Sequence, residues 1–137
     1  MAARADYAKA SKYPDLERVY AECSGPGGLK LAEFIGDKLC LRPNQLLLDV
    51  GMNWGYQTCF LAKEYGVFVV GIDPGSDPND PTIPNVEHLM RNAGSLGVED
   101  RVLGVRVGVP DTRFADNAFD AAYSTTTFEM IRGMGSE

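Results

Sequence analysis

QLLLDVGMNWGYQTCFLAKEYGVFVVGID, residues 45–73, decides the fold. It opens on Gln45-Leu46-Leu47-Leu48-Asp49-Val50, an apolar run without alternation that ends in an acid. Such a run suits a strand buried on both faces, as in a parallel sheet. Residues 51–55 read as a turn between two glycines. Residues 56–65 read as a helix stopped by Gly66. Residues 67–73 then give a second buried strand, again closed by an acid, Asp73. Strand, turn, helix and parallel strand in so short a span need a crossover, which is right-handed in nearly every known case.

The same alternation continues outward. Residues 74–84 hold four prolines and read as loop. Residues 86–96 read as a helix with Leu89, Ala93 and Leu96 inward, closed by Gly97. Residues 101–107 and 119–124 read as third and fourth strands. Upstream, 14–22 is a short helix with Leu16, Val19 and Tyr20 on one face, followed by the turn cluster 24–28. Leu31, Phe34, Ile35 and Leu39 then recur at helical spacing, with Glu33, Asp37 and Lys38 elsewhere. The first dozen residues are small and polar and read as frayed. The expected organisation is an N-terminal helical or lid segment, 1–28, and an α/β domain with a mostly parallel sheet, 29–137.

Composition excludes several classes. Thirteen basic against nineteen acidic residues give a net charge of −6, which argues against a reader of nucleic-acid backbones. No apolar run approaches the roughly 18–20 residues of a membrane span. The N-terminus lacks the apolar core of a secretion signal. Cys23, Cys40 and Cys59 are an odd, widely spaced set that reads as reduced thiols in a cytoplasmic protein. His88 is the only histidine, and no zinc-type spacing occurs, so no metal is expected.

In open parallel sheets ligands bind beyond the carboxyl ends of the strands. Three stretches fall there: 49–55 (DVGMNWG), Asp73, and 114–120 (FADNAFD). Glycines admit close backbone approach, and a helix N-terminus favours an anionic group. An acid ending the second strand can accept hydrogen bonds from ribose hydroxyls. The dinucleotide fingerprint needs glycines at 51, 53 and 56, but 53 is Asn and 56 is Tyr. No phosphate loop of the GxxxxGK[ST] type occurs.

LLLDVGMNWG (46–55), VVGIDP (69–74) and FADNAFDAAYSTTTFEMI (114–131), in this order and spacing, resemble the class I S-adenosylmethionine-dependent methyltransferases, in the branch often called methyltransferase type 11. The resemblance covers about residues 29–132. It implies a three-layer, Rossmann-like α/β fold with S-adenosyl-L-methionine as cofactor. In that family the glycine loop packs against the methionine part, the strand-two acid holds the ribose, the residues before the FADNAFD-like segment bracket the adenine, and the fourth-strand end approaches the methyl group. The implied contact set is Asp49, Gly51, Met52, Asn53, Gly55, Asp73, Pro74, Val109 and Ser124. No catalytic residue is assigned. The implied reaction is methyl transfer to a small-molecule acceptor. A non-catalytic cofactor-binding module, or an inactive fragment, stands as the alternative.

The sequence departs from the pattern in four places. Asn53 replaces the middle glycine, although Asn tolerates left-handed backbone angles. Gly108 stands where the family often places the acid that binds the adenine amino group; Asp111 is three residues on. The loop 74–84 is longer than usual, and it either covers the adenosine or is an inert insertion. The family's further strands do not follow residue 137. Strand four would therefore be an edge with unpaired backbone groups, and the chain is expected either to be a truncated product or to self-associate there.

Other residues carry weaker expectations. Ser24 to Gly28 reads as a lid hinge or as a plain turn. Tyr7, Tyr13 and Tyr20 read as surface or packing residues rather than ligand contacts. Trp54 reads as a wall of the methionine pocket or as none. His88 reads as packed or solvated and far from the strand ends, Glu129 as solvated, Thr125, Thr126 and Thr127 as backbone caps, and Met130 and Met134 as packing residues.

Overall fold

The computed structural model describes residues 6–110 and 112–125. A short 3-10 turn, Ala10–Lys12, leads to α1 (Leu16–Glu22) and α2 (Gly28–Lys38). Then come β1 (Leu46–Val50), α3 (Tyr56–Tyr65), β2 (Phe68–Ile72), α4 (Asn85–Leu96), β3 (Val102–Val105) and β4 (Ala121–Ser124). All strand pairs are parallel, in the order β3-β2-β1-β4. The mostly parallel sheet expected from the alternation is thus present, and among the described residues β4 is an edge strand. No helix of the described residues is long and apolar enough to cross a membrane.

Register aligns the strand ends. Asp49 lies beside Gly71 of β2 and Tyr123 of β4, and Val50 lies beside Ile72 and Ser124. The core runs between the sheet and α3, through Leu47, Met52, Cys59, Phe60, Leu61, Val67, Val69 and Leu89. Leu89 and Ala93 of α4 are buried and Leu96 packs against the same cluster, as the helical spacing required.

Two expectations fail at the N-terminal side. The first dozen residues are not frayed where described. Ala10 is buried, and the Tyr13 hydroxyl donates to Glu64 Oε2 at 2.8 Å while its ring meets Phe60 edge-on. The inward face of α2 is also not the one the spacing selected. Phe34 is 48% exposed and Leu39 is exposed, while Leu29, Ala32, Glu33 and Gly36 are buried. The reason is close packing. A Cβ on Gly36 would lie 2.5 Å from the Tyr65 ring, so α2 presents its small residues to α3. Glu33 is buried because residues 7–13 lie over it, and its Oε1 accepts the Ala10 N–H at 2.7 Å. In α1 only Val19 is buried, and Leu16 and Tyr20 face outward. Ala10, Val19 and Cys23 belong to the same buried cluster as Leu29 and Phe60, so residues 6–28 share the core of the sheet.

Candidate functional site

The stretch 51–55 turns because three of its residues take left-handed angles: Gly51 (φ 73°), Asn53 (φ 57°) and Gly55 (φ 73°). Asn53 therefore keeps the loop's shape where the family pattern has glycine, and Asn bears this conformation at lower cost than most residues. Gly55 has no substitute. A Cβ there would sit 2.2 Å from Leu89 Cδ1, on a backbone already in the glycine region. The loop hangs from β2, since Gly51 N–H donates to Ile72 O at 2.8 Å. Met52 is wholly buried in the core, backbone included, so the sequence's expectation of it as a contact residue rests on its neighbours Gly51 and Asn53.

Asp49, next to last in β1, has 1% of its surface exposed. Its Oδ2 accepts from the Thr58 hydroxyl at 2.7 Å and from the Tyr123 hydroxyl. Its Oδ1 is buried with no partner. Burial pushes the Asp49 carboxyl up to about 6 against the pull of these hydrogen bonds, and the nearby Asp73 charge adds to the rise. The same burial, with Asp49 beside it, raises the Tyr123 hydroxyl well above its ordinary value.

Asp73 follows β2 and is half-buried. Its Oδ2 accepts from the Asn53 N–H at 2.9 Å, and its Oδ1 accepts from the Gly75 N–H at 2.8 Å and Asn85 Nδ2 at 3.2 Å. A carboxylate has about four acceptor positions, so one remains for a further donor. Asp73 thus links the glycine loop to the loop 74–84. That second loop is built, with Ser76 bridged to Pro84 and Asp77 N–H donating to Ile83 O. His88 is packed as expected but is not far from the strand ends. Its ring stacks on Trp54 at 4.1 Å, and Nε2 meets Asp77 Oδ2 at 2.9 Å. The Asn79 N–H and His88 hold the Asp77 carboxyl below the usual range. Trp54 accordingly packs against α4.

Pro74 is exposed, with its ring 3.3 Å from where a Cβ on Gly108 would sit. Val109 is half-buried in the segment after β3. Ser124 Oγ donates to Val50 O at 2.9 Å, beside the start of the glycine loop. Asp111, Thr126, Thr127, Glu129, Met130 and Met134 lie outside the described residues. Among those described, no group of three His, Cys, Asp or Glu residues is placed to hold a metal ion.

Sequence reasoning missed three side chains here. Tyr123 reaches Asp49 because β4 is beside β1, an adjacency that periodicity does not give. Gln57 and Asn92 are buried amides whose signal was a polar residue on a helix face otherwise facing the core. Together the strand ends offer one remaining acceptor position on Asp73 and the loop 51–55, whose Met52 is buried in the core and whose Trp54 packs on His88. That open position fits a ligand with hydroxyls to donate.

No protein-family model matches the chain. Phosphoethanolamine N-methyltransferase 1 of Triticum aestivum is 32% identical over 123 residues, covering 85% of this chain and 22% of that protein. The chain therefore spans about a fifth of the length of that curated relative. Among solved structures, a SAM-dependent methyltransferase from Geobacter sulfurreducens, in complex with S-adenosyl-L-homocysteine, superposes with a TM-score of 0.58 at 21% identity. That match covers 83% of this chain and 44% of the other. The [4+2]-cyclase SpnF matches with a TM-score of 0.59 and 26% identity, over 69% of this chain and 32% of the other.

Proposed function

We propose, from the premise that this chain has the fold of the class I S-adenosylmethionine-dependent methyltransferases, that it forms the cofactor-binding part of an enzyme transferring a methyl group to a small-molecule acceptor. The observation that carries the reading is Asp73. It closes β2 and is bonded to the glycine loop through the Asn53 N–H. In our reading Asp73 holds the ribose, and the backbone of 51–55 with Gly51, Met52, Asn53 and Gly55 receives the methionine part. Pro74 and Val109 flank the adenine, and Ser124 lies toward the reacting end. Asp49 stands behind the loop, enclosed by the Thr58 and Tyr123 hydroxyls, and faces the cofactor only through that loop. The bound cofactor supplies a methyl group already activated by its sulfonium. The chain's own residues then have to orient it and exclude water, and positioning supplies most of the acceleration.

The sequence match to a phosphoethanolamine N-methyltransferase makes an amine of that type the first acceptor to try. An amine acceptor must lose a proton, and no base is assigned among the described residues. The free Cys23, Cys40 and Cys59 support a cytoplasmic setting. A second reading, binding without methyl transfer, is favoured by one observation: a cyclase shares the fold at 26% identity.

Calorimetric titration with S-adenosyl-L-homocysteine, repeated on Asp73→Ala, tests the site. Binding that weakens by roughly 1.5–3 kcal/mol in the variant is expected for a lost hydrogen bond to a charged group. A folded chain that does not bind would sink the proposal. Formation of S-adenosyl-L-homocysteine on addition of phosphoethanolamine separates methyl transfer from binding alone.

A further inference from the structure

Two buried amides join the glycine loop to the N-terminal segment, and each is oriented without ambiguity. Gln57 is 2% exposed. Its Oε1 accepts the Ser24 N–H at 3.1 Å, and its Nε2 donates to Met52 O at 3.0 Å. Asn92 is 4% exposed. Its Oδ1 accepts from Arg18 Nη2 at 3.0 Å, and its Nδ2 donates to Trp54 O at 2.9 Å. A backbone N–H and a guanidinium only donate, and a carbonyl only accepts, so neither amide can be turned round. Each therefore accepts from the N-terminal segment and donates to a carbonyl of the loop 51–55.

The segment is held from both ends. The Arg18 guanidinium also donates to Ser95 Oγ at 2.8 Å and Glu22 Oε2 at 2.9 Å, and it lies over the Tyr56 ring. Ser24 and Thr125 exchange reciprocal bonds, Ser24 Oγ to Thr125 O at 3.2 Å and Thr125 Oγ1 to Ser24 O at 3.0 Å. The turn after α1 thus touches the end of β4, and through Gln57 it touches the glycine loop.

We propose that Gln57 and Asn92 are positioning residues through which docking of residues 18–24 fixes the shape of the glycine loop, making the N-terminal segment a strap over the cofactor side of the sheet. The physical reason is the cost of an unpaired buried amide. When the strap lifts, Gln57 Oε1 and Asn92 Oδ1 lose their donors, and each side chain must reorient toward water or another partner. That takes its amide donor from Trp54 O and leaves Met52 O with only the Gly55 N–H at 3.0 Å, which loosens the turn between them. Occupancy of the strap and order in the loop are then one equilibrium. The proposal rests on the reading of 51–55 as the cofactor loop only for its consequence on binding.

The test is hydrogen exchange on the whole chain without ligand, for wild type, Arg18→Met and Arg18→Lys. Arg18 is on a surface helix and touches no residue of 51–55. Arg18→Met is expected to speed exchange in 51–57 by at least about threefold while β1 and β2 are unchanged, and Arg18→Lys, which keeps a donor, to restore part of the protection. Exchange in 51–57 equal to wild type in Arg18→Met overturns the proposal. Should Arg18→Met fail to fold, Asn92→Asp keeps the shape and the acceptor but faces Trp54 O with an oxygen. Loosening confined to 51–57 is again the expected result, and no change overturns the proposal. Titration with S-adenosyl-L-homocysteine separates the two ideas. A wild-type chain that does not bind, with Arg18→Met still loosening the loop, ends the cofactor reading and leaves the strap. A wild-type chain that binds, with Arg18→Met changing neither loop nor affinity, ends the strap and leaves the cofactor reading.

Discussion

The ends of β1 and β2 are built from the same sequence phrase, an apolar run closed by an aspartate, on neighbouring parallel strands. Their acids have opposite fates. Asp49 is enclosed by the Thr58 and Tyr123 hydroxyls, and burial raises its carboxyl to about 6. Asp73, half-buried, accepts N–H groups from two loops and from Asn85 at the start of α4, and keeps one acceptor position. β1 carries its acid within the strand, between β2 and β4 and bonded to Thr58 of α3. β2 ends before its acid, which stands beyond the strand where two loops meet. An acid at a strand end is therefore a ligand candidate only where the loops beyond it leave it an open side.

The sharpest way to break this contrast is Asp73→Ala. Beyond the loss in binding, three donors lose their acceptor, so both loops should loosen. We expect stability to fall by about 2–3 kcal/mol, read as a lower urea midpoint. A loss below about 0.5 kcal/mol would mean that Asp73 does not organise the loops.

Asp49→Asn probes the other end through pH. The folded-state value, about 6, lies above the ordinary 3.8, so the folded chain holds this proton more tightly than the unfolded chain. Ionising Asp49 then costs stability as pH rises from about 4 to about 6, with the full cost present above that. The wild type should lose roughly 1–3 kcal/mol relative to Asp49→Asn across this window and run parallel to it outside. Urea midpoints at pH 4, 5, 6 and 7 check this, and parallel curves throughout would refute it.

Tyr123→Phe sharpens the same point. It removes a donor to the ionised carboxylate, so its cost should be about 1–2 kcal/mol at pH 7 and smaller at pH 4, where Asp49 is protonated. An equal cost at both pH values would show that the hydroxyl serves packing alone. The smallest effect is expected from Asn53→Gly. The backbone is already left-handed at φ 57° and the N–H to Asp73 remains, so stability should change by no more than about 0.5 kcal/mol.

The sequence by itself determined what depends on near neighbours. The helix Tyr56–Tyr65 lies between Gly55 and Gly66, both left-handed, as the punctuation required. The run 46–50 and the run 68–72 are strands as their apolar character demanded, but not buried on both faces: Phe68 is exposed and Leu46, Leu48 and Val70 are only half-buried, because that face of the sheet is not fully covered among the described residues. Their parallel pairing follows from the crossover between them. Asn53 adopts the angle its chemistry tolerates. Only the tertiary structure decided which face of α2 is buried, because the close approach of Tyr65 to Gly36 outweighs the helical spacing of Phe34 and Leu39. It also brought His88 onto Trp54, set Tyr123 on Asp49, and turned Gln57 and Asn92 into links to the N-terminal segment. Those contacts join residues 33 to 74 positions apart. Local propensity and periodicity carry no information at that range, and only the packed chain brings such partners together.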